Sequence, residues 1–484
     1  MKKELTVALN YALNYALSKG FQIHPDAFKF LENVDVKKLE KIIKEIVHEK
    51  TKQRLFQINQ DDLEVYFGIK EDLTLQNDHK IISDPTLKIT ICEGVKGYNA
   101  LFSSRFKKLK QIILDRPESK MLKPIASVKT IKSDNDIFVC GLVTSKNMER
   151  NITKMVIEDP SGSFEGVIFD NELQKTASSL LTDQFIMARL GIGKNSGLII
   201  KDLILPDIPD QATNRSETET YAVFLSDLHI GSKYFMEKEF SEFITWLSSP
   251  DSTARKIRFV LICGDLVDGV GIYPNQDKEL VYQTIEEQLE KVEELINKIP
   301  SYIKIFIIPG NHDPGRRALP QPAIPKKYNF GLWEKKNVFM VGNPAIISLN
   351  GVKVMMFHGQ SIDDIVKTTP GLSYDKPTDV MKYLLKARHL SPIYGAQTPI
   401  APEIEDLMVI DEIPDIFHVG HVHKAELDFY KGILLINSGS WQLQTPFQAS
   451  VGMIPNPGIA LVVNLKTFKV YHENYNSNKL NNIL

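Results

Sequence analysis

The sequence predicts a multidomain α+β chain: an N-terminal helical module, a small β-barrel and a C-terminal α/β sandwich, in that order. Three observations predict it. Apolar residues recur at helical spacing through residues 1–75. Short strand-like runs divided by turn residues fill residues 121–208. From Tyr221 onward, apolar strand runs alternate with helical segments, which is the α/β pattern. A chain of 484 residues is also too long for a single core.

Composition narrows the class. With 43% hydrophobic and 24% charged residues, disordered and collagen-like readings are excluded. The formal net charge of −2 means that any nucleic-acid contact must be a local basic patch. Cys92, Cys140 and Cys263 are far apart and form no C-x-x-C pair, so neither a zinc ribbon nor a disulfide frame is expected. The opening M-K-K-E-L-T lacks a signal-peptide pattern, and no run of 18 apolar residues occurs. A cytoplasmic protein with no membrane span is expected.

In residues 1–75, Leu5, Leu9, Leu13 and Leu17 mark one helix. Leu39, Ile42, Ile43, Ile46 and Val47 mark another. Twelve Lys/Arg balance twelve Asp/Glu there, so the module reads as a partner-docking domain. Residues 76–120 read as a connector carrying one basic helix, from about 97 to 114. Tyr98, Phe102, Phe106, Leu109 and Ile113 form its apolar stripe. Arg105, Lys107, Lys108 and Lys110 crowd the rest, either as a solvated face or as a phosphate contact.

Five strands are predicted within 121–208, with a polar break near 170–183; a closed barrel of the OB type fits them. Phe138, Phe164 and Phe169 are candidates for stacking on single strands, or for core packing. Polar residues from Pro206 to Glu219 read as a linker, and the C-terminal domain as residues 217–475. There, the strand R-F-V-L-I-C (258–263) is followed by a helix through Val281, Ile285, Leu289, Val292 and Ile296.

The chemistry sits at the carboxyl ends of apolar runs. These ends carry Asp227 and His229, Asp265, Asn311 and His312, His358, and His421 and His423. Ligands of open α/β sheets collect at such ends, so five distant segments are expected in one cleft. Imidazole, carboxylate and amide oxygen together suit Mn²⁺, Fe or Zn²⁺ better than Ca²⁺ or Mg²⁺. Seven candidate ligands (Asp227, His229, Asp265, Asn311, His358, His421, His423) serve two ions only if one carboxylate bridges. His389 and His418 fall outside the pattern and read as structural. Asp268 reads as a loop buttress. Asp313 either orients His312 or caps its loop.

The ordered set D-x-H, G-D, G-N-H-D, H-G and G-H-x-H resembles the calcineurin-like metallophosphoesterase superfamily. The resemblance implies that Asp227, His229, Asp265 and His423 hold one metal, and Asp265, Asn311, His358 and His421 the other. It makes His312 the catalytic histidine that is not a ligand. The run G-D-L-V-D-G-V lacks the arginine of protein phosphatases. Instead E-G-V-K-G-Y (93–98), S-R-F-K-K-L (104–109), P-G-N-H-D-P-G-R-R (309–317), G-L-S-Y (371–374), N-S-G-S-W-Q (437–442) and Q-T-P-F-Q (444–448) resemble the small subunit of archaeal family D DNA polymerases, over about 93–470.

That family implies a 3′→5′ proofreading exonuclease with two divalent ions, Mn²⁺ first and Fe, Zn²⁺ or Mg²⁺ as alternatives. It implies a heterodimer with a large catalytic subunit, contact with DNA, and room for a sliding clamp. Arg316 and Arg317, with Arg105 and Lys107, are the candidate DNA-binding cations. The competing expectations are a scaffold without catalysis, like the eukaryotic B-subunits, or a stand-alone repair nuclease or phosphodiesterase. The filled ligand positions and the preceding barrel argue against them.

Overall fold

The computed structural model describes residues 2–31, 39–66, 77–90, 92, 94–128, 136–193, 197–249, 251–328, 330–450 and 452–476. At the N-terminus, helices Lys2–Ser18, Pro25–Leu31, Leu39–Gln53 and Gln60–Tyr66 share a core with a two-residue parallel pair, Gln22–Ile23 against Gln57–Ile58. Leu39, Ile42, Ile43, Ile46 and Val47 are all buried, as their spacing predicts. The first helix differs. Leu9 is buried, but Leu17 is 58% exposed, and Ala12 and Ala16 take the inner face. A strict four-residue repeat drifts about 40° per step around a helix of 3.6 residues per turn, so it leaves the inner face within three turns. The side chain of Leu5 lies outside the described residues. Arg255 docks the module onto the C-terminal domain, its guanidinium 3.6 Å from the Tyr66 ring centroid and 3.3 Å from Glu45.

The connector is more structured than its sequence predicts. His79–Ser83 is an edge strand, antiparallel to Ala345–Leu349 of the C-terminal domain. The basic helix spans Gly94–Ile113. Arg105 corrects its expected role: it is fully buried, donates from Nε to Asp406 at 2.8 Å and from Nη1 to the Pro392 carbonyl at 2.6 Å. Lys108 pairs with Glu405 and Asp411, while Lys107 stays exposed. Two of the helix's cations, Arg105 and Lys108, are thus matched to acidic groups about 300 residues away.

His389 completes this buried cluster. Its Nδ1 accepts from the Ser391 amide, which leaves Nε2–H to face Asp406 at 3.0 Å, so the ring is neutral. Burial, helped by the charge of Arg105, pushes His389 down to about 4. Burial would raise Asp406, yet His389 and Arg105 hold it far below the carboxylate range. Between about pH 6.5 and 4 the unfolded chain therefore binds a proton at His389 that the folded chain does not. Stability from this group is complete above the unfolded value and is lost as pH falls toward 4. The unfolding free energy from urea titrations is expected to drop across that window, by on the order of 3 kcal/mol from this group. A flat profile would show that the ring takes up its proton without unfolding.

The barrel is closed and five-stranded, in the order Ile137–Met148, Thr153–Asp159, Gly162–Ile168, Leu198–Ile204, Phe185–Ile192. Helix Asn171–Ser179 fills the polar break, capped by Asp170. Phe138 and Phe164 are buried, which settles them as core; Phe169 is 56% exposed. The polar stretch after Pro206 is pinned rather than loose. Asp207 pairs with Lys431, and the Asn214 amide donates to Asp415.

Two six-stranded sheets then pack face to face. One runs Val338–Met340, Lys304–Ile308, Ile257–Cys263, Tyr221–Leu225, Ile459–Asn464, Val470–Asn474. The other runs Glu426–Tyr430, Ile433–Asn437, Ile416–Val419, Val352–Phe357, Ala345–Leu349, His79–Ser83. Phe224, Leu261, Phe306, Val354, Met356 and Leu461 lie between them. Helices Glu237–Leu247 and Ile285–Asn297 cover the first sheet; Ile362–Thr368 and Pro377–Ala387 cover the second. Ile285–Asn297 starts later than its periodicity predicts, at a capping box of Thr284 and Glu287, and Val281 is exposed. No helix among the described residues is long and apolar enough to cross a membrane.

Candidate metal centre

Five chain segments meet where the strands Tyr221–Leu225, Ile257–Cys263, Lys304–Ile308, Val352–Phe357 and Ile416–Val419 end. The backbone turns sharply there. Asp227, His229, Asp265, His421 and His423 all adopt positive φ, between 52° and 71°. This conformation is unfavourable for residues with a side chain, so its clustering at one place marks strain held by the surrounding packing.

Asp265 lies at the middle. It belongs to one cluster with His229 and His312 and to another with His358 and His421; Asp227, His229 and His423 form a third. His229 and His423 bring their Nε2 atoms within 3.1 Å, and Asp227 Oδ1 lies 3.5 Å from His423 Nε2. That Asp227 oxygen is buried and has no hydrogen-bond partner. On the other side, His358 gives Nδ1–H to the Cys263 carbonyl at 2.8 Å, leaving its Nε2 lone pair toward Asn311 Oδ1 at 2.9 Å and Asp265 Oδ2 at 3.3 Å. Acceptors that face one another need positive charge between them, a proton in the metal-free protein or a bound cation. The residues present are therefore consistent with a dinuclear metal site in which Asp265 is within reach of both sets of groups. All seven sequence-predicted ligands are brought together.

Electrostatics point the same way. Burial would raise the Asp265 carboxyl, but His358, His312 and His229 hold it well below the usual range. Burial would lower His358, yet Asp265 beside it pushes it up to about 10 in the metal-free protein. Protons there balance the carboxylates, and metal loading must release them.

Partners beyond the ligands were harder to read. Asp268 lies 3.2 Å from His229 Nδ1 and accepts from Gln276 and Gln442. Asp363 lies 3.2 Å from His421 Nε2, and the Gln448 amide 2.9 Å from His423 Nδ1. Such partners orient metal-binding imidazoles. Sequence reasoning missed Asp363, which lies in none of the motifs, and gave Gln448 no role although Q-T-P-F-Q (444–448) contains it. Asp313 caps its loop, accepting from the Leu266 and Gly310 amides, whereas His312 Nδ1 meets the Asp268 carbonyl at 2.7 Å. His312 Nε2 stands 4.0 Å from Asp265, and burial lowers its pKa. His418, outside the centre, bonds Ser438 at 2.8 Å.

Arg316 corrects its expected role as a DNA-binding cation: its guanidinium is tied to Glu403 and the Pro320 carbonyl. Arg317 is exposed. Above the centre opens a cavity of about 710 Å³, lined among others by His312, Asp363, Tyr273, Lys367, Lys424 and Phe447.

Gly310 shows how tight the centre is. A Cβ there would lie 2.1 Å from Asp265 Oδ1 and 2.5 Å from the Asp265 amide. Gly310→Ala is expected to displace the central carboxylate and weaken metal binding at least about tenfold, read by calorimetric titration. Wild-type affinity in that variant would show that the loop can yield.

A face-to-face sandwich flanked by helices, with paired His/Asp clusters at its strand ends, defines a phosphoesterase-like domain with a candidate dinuclear metal centre. Residues 222–427 match the family of B-subunits of DNA polymerases alpha and epsilon. The chain is 37% identical over 420 residues to the DNA polymerase II small subunit of Pyrococcus furiosus, covering 84% of this chain and 68% of that one. It is 40% identical over 385 residues to that of Archaeoglobus fulgidus, covering 78% and 77%. It belongs to the archaeal DNA polymerase II (family D) small-subunit family. A solved archaeal phosphodiesterase aligns over 52% of this chain and 99% of its own, at 13% identity and a TM-score of 0.28.

Proposed function

We propose that this chain is the proofreading 3′→5′ exonuclease of a heterodimeric archaeal DNA polymerase, hydrolysing the terminal phosphodiester of a DNA strand. The observation that carries the reading is Asp265, a buried carboxylate shared by two clusters of metal-binding groups. Asp227, His229, Asp265 and His423 would hold one divalent ion; Asp265, Asn311, His358 and His421 the other. Bound there, such ions supply charge to polarise the phosphoryl group and acidity to an attacking water. Mn²⁺ is the first expectation, with Fe, Zn²⁺ and Mg²⁺ as alternatives.

His312 is the catalytic histidine in this reading. The Asp268 carbonyl accepts from its Nδ1–H, so its Nε2 faces the reaction as an acceptor and, once protonated from solvent, gives that proton to the departing 3′ oxygen. Burial keeps the ring neutral at rest, so the proton is acquired as negative charge arrives. Asp268, Asp363 and Gln448 orient His229, His421 and His423. Lys107 and Arg317 remain the exposed cations for the DNA backbone. The relatives are small subunits, which implies a large one; in this reading the large one carries polymerisation, and a cytoplasmic site of action follows from that role.

The test is incubation of purified protein with a 5′-labelled oligonucleotide and Mn²⁺. A ladder shortening from the 3′ end, with about two ions per chain, is the expected result. No cleavage and no bound metal would instead favour a scaffold. Cleavage without association with a large subunit would favour a stand-alone nuclease.

A further inference from the structure

The cavity over the metal centre has a wall that hydrolysis itself does not use. There Tyr273 and Phe447 present nearly parallel rings, tilted by 22° with centroids 6.4 Å apart. Both are anchored to the surroundings of the same ion position. Tyr273 Oη donates to Glu279 at 3.1 Å and lies 3.5 Å from Asp268, the carboxylate that faces His229. Phe447 precedes Gln448, whose amide meets His423. The rings thus flank the position shared by Asp227, His229, Asp265 and His423. Phe447 is nevertheless 59% exposed, although a phenyl ring gains nothing from water.

We infer that Tyr273 and Phe447 hold the terminal nucleobase of a strand whose last phosphodiester lies on the metal centre; the inference rests on the nuclease reading above. Aromatic faces take any base, because every base has a π-face, and a proofreader must remove all four. A base between two faces requires ~6.8 Å, two stacking steps of ~3.4 Å, and the 6.4 Å between the ring centroids leaves the two side chains only a small rotation from that spacing. A base reaches them only after leaving its duplex. That is easiest for a mismatched or unpaired end, so the pair favours frayed termini.

The experiment uses the full chain loaded with Mn²⁺ and single strands that end in 2-aminopurine or in an abasic residue, each joined through a non-hydrolysable phosphonate linkage. The wild type is expected to quench the terminal 2-aminopurine and to bind it about tenfold more tightly than the abasic end. Tyr273→Ala and Phe447→Ala bind both ends alike, and Phe447→Trp restores the difference. Equal binding of both ends by the wild type, or a tenfold preference that survives Phe447→Ala, overturns the inference. So does a Phe447→Ala variant that keeps the preference but loses a large polymerase subunit, which would make the exposed Leu443, Phe447 and Ile454 a protein-docking face. These readouts need no cleavage. Failure of the nuclease reading shows separately, as a wild type that never shortens an oligonucleotide.

Discussion

Asp265→Ala is expected to abolish hydrolysis, with a loss of more than about 10³-fold, and to cut metal content from about two ions per chain to one or none. Its carboxylate joins two of the clusters, lying 3.3 Å from His358, 3.8 Å from His229 and 4.0 Å from His312. Removing it deprives both ion positions of a ligand and takes away the negative charge that holds His358 at about 10. His358 should therefore titrate much lower in the metal-free variant, which proton NMR can follow independently of activity. The strands around the site belong to two large apolar cores, so a native circular dichroism spectrum is expected. Full Mn²⁺-dependent cleavage by purified Asp265→Ala would sink the assignment of the whole centre.

Arg105→Ala is expected to destabilise the protein by about 3–5 kcal/mol, because Asp406 would remain buried without its cation. At about 2–4 °C per kcal/mol for a domain of this size, the melting temperature should fall by roughly 10 °C. A double variant, Arg105→Met with Asp406→Asn, should cost less than the sum of the single variants, since no buried charge is then left alone. The pair joins the connector helix to a loop of the C-terminal domain, so the effect should appear as earlier undocking of that helix in hydrogen exchange. A loss below about 1 kcal/mol would mean that water, or the donation from His389, suffices for Asp406 without Arg105.

What could be read before folding followed locality. The seven candidate ligands each stand near the end of an apolar run, and Asp265, Asn311, His358 and His421 also adjoin a glycine, so an abrupt polar residue there has a local reason to be noticed. The helical and strand periods of residues 39–47 and 137–204 are likewise local, and the structure has helix and strand there. The N-terminal leucine repeat was less informative, because a four-residue spacing only approximates the helical turn.

Sequence alone thus determined the order of the parts and singled out the side chains that the fold gathers into one cluster, because period and motif are properties of short segments. Tertiary structure decided the fate of the charges. Arg105 and Arg316 look like DNA contacts until Asp406 and Glu403 come within reach from distant loops, and Asp363 and Gln448 look idle until His421 and His423 do. Whether a charge is free or buried depends on its partner, and a partner hundreds of residues away leaves no mark on the local pattern.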